Sequence, residues 1–147
     1  MSCYSQHAPG ITSRNVVVVD DDPRVRQSLE SLLISAGFDV RLFGSGAEVL
    51  RSGALDIAGC LITDVRMPGI DGWELQRRTR SAYPLLPLIF VTAHQDGDAF
   101  RRALSGGAFA FLYKPFDGEE LLRTVEAAVD ANKNDAGHKS PRFERKS

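Results

Sequence analysis

The chain has 147 residues, 43% of them hydrophobic, and a formal net charge of −1. That length suits one domain with its own core, and the near-neutral balance gives no overall attraction to nucleic acid or to a membrane surface. No apolar run approaches the roughly 20 residues needed to cross a bilayer, and the opening MSCYSQHAPGITSRN lacks the apolar centre of a signal peptide. The charge is uneven. Residues 132–147 carry five Lys/Arg against two Asp/Glu and residues 1–14 carry only Arg14, so the central part stands at −5. The two cysteines, Cys3 near the terminus and Cys60 in an apolar run, suit a reducing cytoplasm better than a disulfide.

Short apolar runs alternate with helical patterns, which predicts an α/β domain around a parallel sheet. A first strand is expected at Asn15 to Asp20, where four consecutive valines suit burial on both faces. A helix follows, with Asp22 as its cap, Pro23 in its first turn and Val25, Leu29, Leu32, Leu33 and Ala36 on one face. Gly37 stops it. A second strand is expected at Phe38 to Phe43, then a short helix through Leu50 and a third strand at Ala58 to Thr63. The loop Val65 to Asp71 holds the turn sequence Met67-Pro68-Gly69. A third helix, weakly apolar, is expected at Gly72 to Ala82. The fourth strand is expected at Pro87 to Val91 and the fourth helix at Asp96 to Ser105. The fifth strand falls at Phe109 to Tyr113 and the fifth helix at Gly118 to Ala131, with Leu121, Leu122, Val125 and Val129 inward. Residues 14–132 thus form one domain between a flexible N-terminal extension, 1–13, and a flexible C-terminal tail, 133–147. Right-handed crossovers and compactness predict a five-stranded parallel sheet of order 2-1-3-4-5 with helices on both faces.

In that order strands one and three are neighbours, so Asp20, Asp21 and Asp64 converge outside the carboxyl ends of the strands, where open α/β sheets bind ligands. Clustered carboxylates repel and resist ionisation unless a cation neutralises them. Mg²⁺ suits this role, because it takes one or two carboxylates and keeps waters for a phosphoryl oxygen. Taken alone, the Asp20-Asp21-Asp22 triplet fits a polar strand-to-helix turn equally well, with Asp22 kept as the cap. Asp64 can act as a nucleophile on phosphorus, forming an acyl phosphate, a reaction that asks mainly for positioning and charge neutralisation. Thr92 ends the fourth strand and Lys114 ends the fifth. Alone, the first reads as structural and the second as solvated. Pro115 ends the strand at Lys114, and the bond between them is expected to be cis.

Four segments carry a resemblance. They are Val16-Val17-Val18-Val19-Asp20-Asp21-Asp22, Leu61 through Gly72, Val91-Thr92-Ala93 and Tyr113-Lys114-Pro115-Phe116. In this order, each at a strand end, they resemble a two-component response-regulator receiver domain with its flavodoxin-like fold, over about residues 14–131. Thr63-Asp64-Val65-Arg66-Met67-Pro68 is most similar to receivers of the FixJ type. The resemblance implies that Asp64 accepts a phosphoryl group from a sensor histidine kinase or histidine phosphotransfer protein. It implies that Asp21, Asp64 and the backbone carbonyl of Arg66 hold Mg²⁺, with Asp20 acting mostly through water. Thr92 and Lys114 would contact the phosphoryl oxygens. Phe111 takes the aromatic switch position, turning inward as Thr92 moves, so that the surface of the fourth helix, fifth strand and fifth helix changes for an unknown downstream protein. Phe111 as a plain core aromatic is the alternative.

Arg66 and His94 stand two residues after Asp64 and Thr92 and are expected to tune the lifetime of the phosphorylated form. Replacing both by alanine should change the decay rate; an unchanged rate contradicts this. The protein is expected to be cytoplasmic and to catalyse only its own phosphorylation and dephosphorylation. A haloacid-dehalogenase-type phosphatase is the competing class, since Asp20-Asp21-Asp22 contains Asp-x-Asp. Against it, Arg24 stands where that family has Thr or Val, no acidic pair follows Lys114, and there is no room for a cap domain. The basic tail reads as a solvated end, so direct nucleic-acid binding is not expected. The chain reads as a stand-alone receiver or a receiver fragment of a transcriptional regulator. Arg101, Arg102 and Arg123 leave open a phosphorylation-dependent homodimer.

Overall fold

A computed structural model describes residues 14–93 and 97–134, with side chains through residue 132. The strands are β1 (Asn15–Val19), β2 (Asp39–Phe43), β3 (Cys60–Thr63), β4 (Leu88–Thr92) and β5 (Ala110–Tyr113). The helices are α1 (Pro23–Ser35), α2 (Gly46–Ser52), α3 (Gly72–Ala82), α4 (Gly97–Ser105) and α5 (Gly118–Asn134). All strands pair in parallel, in the order β2-β1-β3-β4-β5 expected from the sequence. The expected extension 1–13, the tail beyond Asn134, Cys3 and His94 lie outside the described residues.

The four valines of β1 show why this sheet forms. All four are fully buried, and alternation sends them to opposite faces. Val16 and Val18 join Leu29 and Leu33 of α1 and Leu121 and Val125 of α5 in one core layer. Val17 and Val19 join Val49 of α2, Leu75 of α3 and Ala103 of α4 in the other. A β-branched strand covered on both faces needs no polar alternation.

Local chemistry sets the helix ends. The Asp22 carboxylate accepts the Arg24 N–H at 2.9 Å, and Pro23 occupies the first turn of α1. Asp71 caps α3 in the same way, accepting the Glu74 N–H at 2.9 Å. Glu74 then binds Arg77 and Arg78 at 2.6 and 2.7 Å, and these hydrogen bonds push its pKa down to about 2. The stability this carboxylate contributes is present above its ordinary value of 4.5 and is lost as pH falls toward about 2. Glu74→Gln is therefore expected to lower the urea midpoint at neutral pH, with the gap to wild type closing across that acidic window. A gap that stays constant down to the lower limit would contradict it.

Several boundaries differ from the sequence reading. β1 ends at Val19 rather than Asp20, although the Asp20 N–H still donates to the Phe43 carbonyl at 3.1 Å. β3 starts at Cys60 rather than Ala58, because residues Ala54–Asp56 form a 3₁₀ turn and Ile57 and Ala58 fold back onto its carbonyls. α2 runs to Ser52, β4 through Thr92 and α5 through Asn134, each beyond its expected end. α3 has the boundaries expected.

Candidate functional site

Three strands deliver charged groups to one point. At the end of β1, Asp20 is only 2% exposed; one carboxylate oxygen accepts the Asp22 N–H at 2.9 Å. Arg26 of α1 donates to the Asp20 carbonyl at 2.7 Å and so holds this turn from below. At the end of β3, Asp64 is 9% exposed. Its Oδ1 accepts the Val65 and Arg66 N–H groups at 2.6 and 3.4 Å, which leaves Oδ2 to face the pocket. At the end of β5, the Lys114 Nζ donates to Asp20 Oδ2 and to Asp64 Oδ2, each at 3.0 Å. Asp21 is exposed beside them. Oxygens of Asp20, Asp21 and Asp64 lie within 4.8 Å of one another, a group able to hold a metal ion.

Burial raises the Asp20 pKa, and the Asp22 N–H and the Lys114 ammonium offset this only in part. Burial pulls the Lys114 ammonium down, but the two carboxylates outweigh it and its pKa is raised. Lysine therefore remains charged, and one cation serves two carboxylates with a third alongside. Three negative groups against one ammonium leave the pocket short of positive charge. A divalent cation fits that deficit, and an oxygen-only donor set is the one hard ions prefer. Asp22 has a different duty. The Arg24 N–H lowers its pKa and its carboxylate is committed to the helix cap.

β4 brings Thr92, which is 1% exposed, and its carbonyl accepts the Lys114 N–H at 2.8 Å. The Lys114–Pro115 bond is cis, as expected. Register aligns Thr92 with Tyr113 and Phe90 with Phe111, so Thr92 and Phe111 lie on the same sheet face as diagonal neighbours. Phe111 is 1% exposed and points into the core, with ring centroids of Phe90 and Phe100 at 5.9 Å and of Tyr113 at 5.2 Å. Arg66 is exposed, and with Val65, Met67, Pro68, Asp71 and Trp73 it lines a surface cavity of about 490 Å³. The structure thus brings Asp20, Asp21, Asp64 and Lys114 into one cluster, with Thr92 one strand over and Arg66 on the adjoining loop. Of the three arginines considered for a dimer face, Arg101 pairs with Asp98 and Arg102 lies 4.6 Å over the Trp73 ring, while Arg123 is exposed.

Two residues that hold the site have no role assigned to them from sequence: Arg26 and Gly72. Gly72 had a local signal in Ile70-Asp71-Gly72. It donates to the Val65 carbonyl at 2.8 Å, and a side chain there would meet the Asp64 carbonyl, Val65 Cα and Phe90.

The strand order 2-1-3-4-5 with an acidic pocket at the β1/β3 switch point is the flavodoxin-like doubly wound arrangement. The family model for the response regulator receiver domain matches residues 16–126. The chain is 45% identical to the DNA-binding transcriptional regulator NtrC of Escherichia coli over 114 residues, covering 78% of this chain and 24% of NtrC. It is 39% identical to the transcriptional regulatory protein FixJ of Bradyrhizobium diazoefficiens over 118 residues, covering 80% of this chain and 58% of FixJ. A crystal structure of a receiver domain protein from Clostridium thermocellum superposes with a TM-score of 0.77 at 29% identity, covering 82% of this chain and 97% of that one. The chain belongs to the response regulator receiver domain family. It spans between about a quarter and six-tenths of the length of these curated relatives. Among the described residues no helix is long and apolar enough to cross a membrane.

Proposed function

We propose that Asp64 is the phosphoacceptor of a two-component relay. The observation that carries this is the Lys114 ammonium bridging Asp20 and Asp64 at 3.0 Å beside Asp21. Asp64 Oδ2 attacks the phosphorus of a phosphohistidine on a sensor kinase or phosphotransfer protein. The Oδ2–P bond forms, the P–N bond breaks, and the imidazole leaves with a proton from solvent. Two backbone N–H groups fix the other oxygen of Asp64, so the nucleophile enters already oriented. Lys114 stays with Asp20 and transfers its second hydrogen bond to a phosphoryl oxygen, and the Thr92 hydroxyl binds another. Asp20, Asp21, Asp64 and the Arg66 carbonyl would hold Mg²⁺, which when bound supplies the positive charge that the phosphoryl oxygens and carboxylates demand.

The chain takes one phosphoryl group and loses it by hydrolysis, with no other turnover. Thr92 and Phe111 pass the change to the α4–β5–α5 surface, read by a downstream protein, by the output part of a longer regulator or by a second copy of this chain. A kinase or phosphotransfer partner would meet this chain in the cytoplasm, and the −5 charge of the central part favours a protein partner over nucleic acid. Incubation with Mg²⁺ and acetyl phosphate should add one phosphoryl mass to the intact protein and none to Asp64→Asn. No gain with acetyl phosphate or with a panel of histidine kinases would overturn the reading, and catalytic release of phosphate from small esters would favour the phosphatase instead.

A further inference from the structure

The geometry points to Gln76 and Arg80 of α3 as positioning residues that pin the C-terminal end of α4, so that α4 answers phosphorylation by tilting about that end. This rests on the phosphoacceptor reading of Asp64. The last carbonyls of a helix lack partners within it; the turn after α4 meets part of that need, with the Gly106, Gly107 and Ala108 N–H groups donating to the Arg102, Leu104 and Ala103 carbonyls at 3.0 Å, and α3 adds two side-chain hydrogen bonds at the same end. Gln76, only 6% exposed, donates to the Ala103 carbonyl at 3.2 Å, and Arg80 donates to the Gly106 carbonyl at 2.6 Å. A third tie is the Arg102 guanidinium over the Trp73 ring. Gly106 permits this approach, since a Cβ there would stand 2.6 Å from the Gln76 amide carbon.

The other end of α3 is fixed to the acceptor. The Gly72 N–H donates to the Val65 carbonyl at 2.8 Å, and the Gly72 Cα packs against the Asp64 peptide too closely for any side chain. Asp64, α3 and the last turn of α4 therefore move as one body. The first turn of α4 begins at Gly97, shortly after β4 ends at Thr92. A helix held at one end and drawn at the other tilts rather than slides. The tilt is felt at Phe100, whose ring meets Phe111 edge-on at 5.9 Å, and fades toward Gly106.

Amide hydrogen exchange on the full chain, before and after treatment with Mg²⁺ and acetyl phosphate, tests this, with intact mass read on the same samples. In wild type, phosphorylation should leave Gly106, Gly107 and Ala108 within about twofold of their resting rates while changing Arg101 and Arg102 about tenfold. In Gln76→Met/Arg80→Met, the three amides should exchange about tenfold faster at rest, with α5 unchanged, and should respond to phosphorylation as well. Arg80→Met alone, at an exposed side chain, should show the same trend at several-fold if the double variant does not fold. A phosphorylated wild type that loses protection at Gly106 to Ala108 overturns the pin, as do variants that exchange like wild type. A wild type that gains no phosphoryl mass overturns the underlying reading of Asp64 instead.

Discussion

Gly72→Ala is expected to destabilise the domain by about 3 kcal/mol, at the upper end of the range for overpacking. The added Cβ would press on the Asp64 carbonyl, on Val65 Cα at 2.8 Å and on Phe90 at 3.0 Å. Two of these are backbone atoms of the acceptor loop, so relief requires moving the loop itself. The same displacement strains the Val65 and Arg66 N–H groups away from Asp64 Oδ1, and phosphoryl uptake should fall together with stability. Gly97→Ala is the matched control. A Cβ there meets nothing within 4 Å, and alanine in a helix is favoured over glycine by up to about 1 kcal/mol. Urea midpoints check the pair. Equal effects at the two positions would contradict the close packing of Gly72 against the acceptor.

Lys114→Met is expected to cost about 2 kcal/mol at neutral pH. Removing one partner of a fully buried ion pair costs roughly 3–5 kcal/mol, and exposure of Asp21 and 17% of the lysine side chain reduces this. The direction of the pH dependence follows from the raised lysine pKa. The contribution of Lys114 is fully present below its ordinary value of 10.5 and is lost as pH rises through the raised one. Asp20 works the other way. Its raised pKa means that folding disfavours its charged form, and the penalty lifts as pH falls through that value. The cost of Lys114→Met should therefore shrink toward both acid and alkaline pH. Phosphoryl uptake should drop sharply, because Asp64 Oδ2 loses the ammonium that it faces. A variant with wild-type stability at neutral pH would show that Lys114 does not hold the carboxylates together.

The sheet was legible because four of its strands are nearly continuous apolar runs, with only β2 interrupted by Asp39 and Arg41. Val16 to Val19 could be read as a doubly covered strand without reference to anything distant, and the burial of all four agrees. The acidic cluster was legible for the same reason, since those four apolar runs end in polar residues and parallel order brings the ends together. What escaped depends on contacts made across the fold. Ala54-Leu55-Asp56 carries no helical period, yet it closes a 3₁₀ turn that delays β3. Gln76 drew no notice in a weakly apolar helix, yet it is buried and donates to the Ala103 carbonyl of α4. Arg26 serves Asp20 through a backbone carbonyl six residues back, on an adjoining turn, and no residue pattern marks such a bond. Phe111 was expected to turn inward with the switch, and its ring is already packed among Phe90, Phe100 and Tyr113. Cys60 behaves as its apolar run suggested, a buried thiol whose pKa burial pushes up.

Phosphorylate the protein with Mg²⁺ and acetyl phosphate, reduce the acyl phosphate with borohydride, and map the peptides by mass. An acyl phosphate on an aspartate becomes homoserine, which marks the acceptor permanently. Homoserine is expected at position 64, with unmodified aspartate at 20 and 21. Homoserine at another position, or none in a protein that carries the phosphoryl mass, would contradict it.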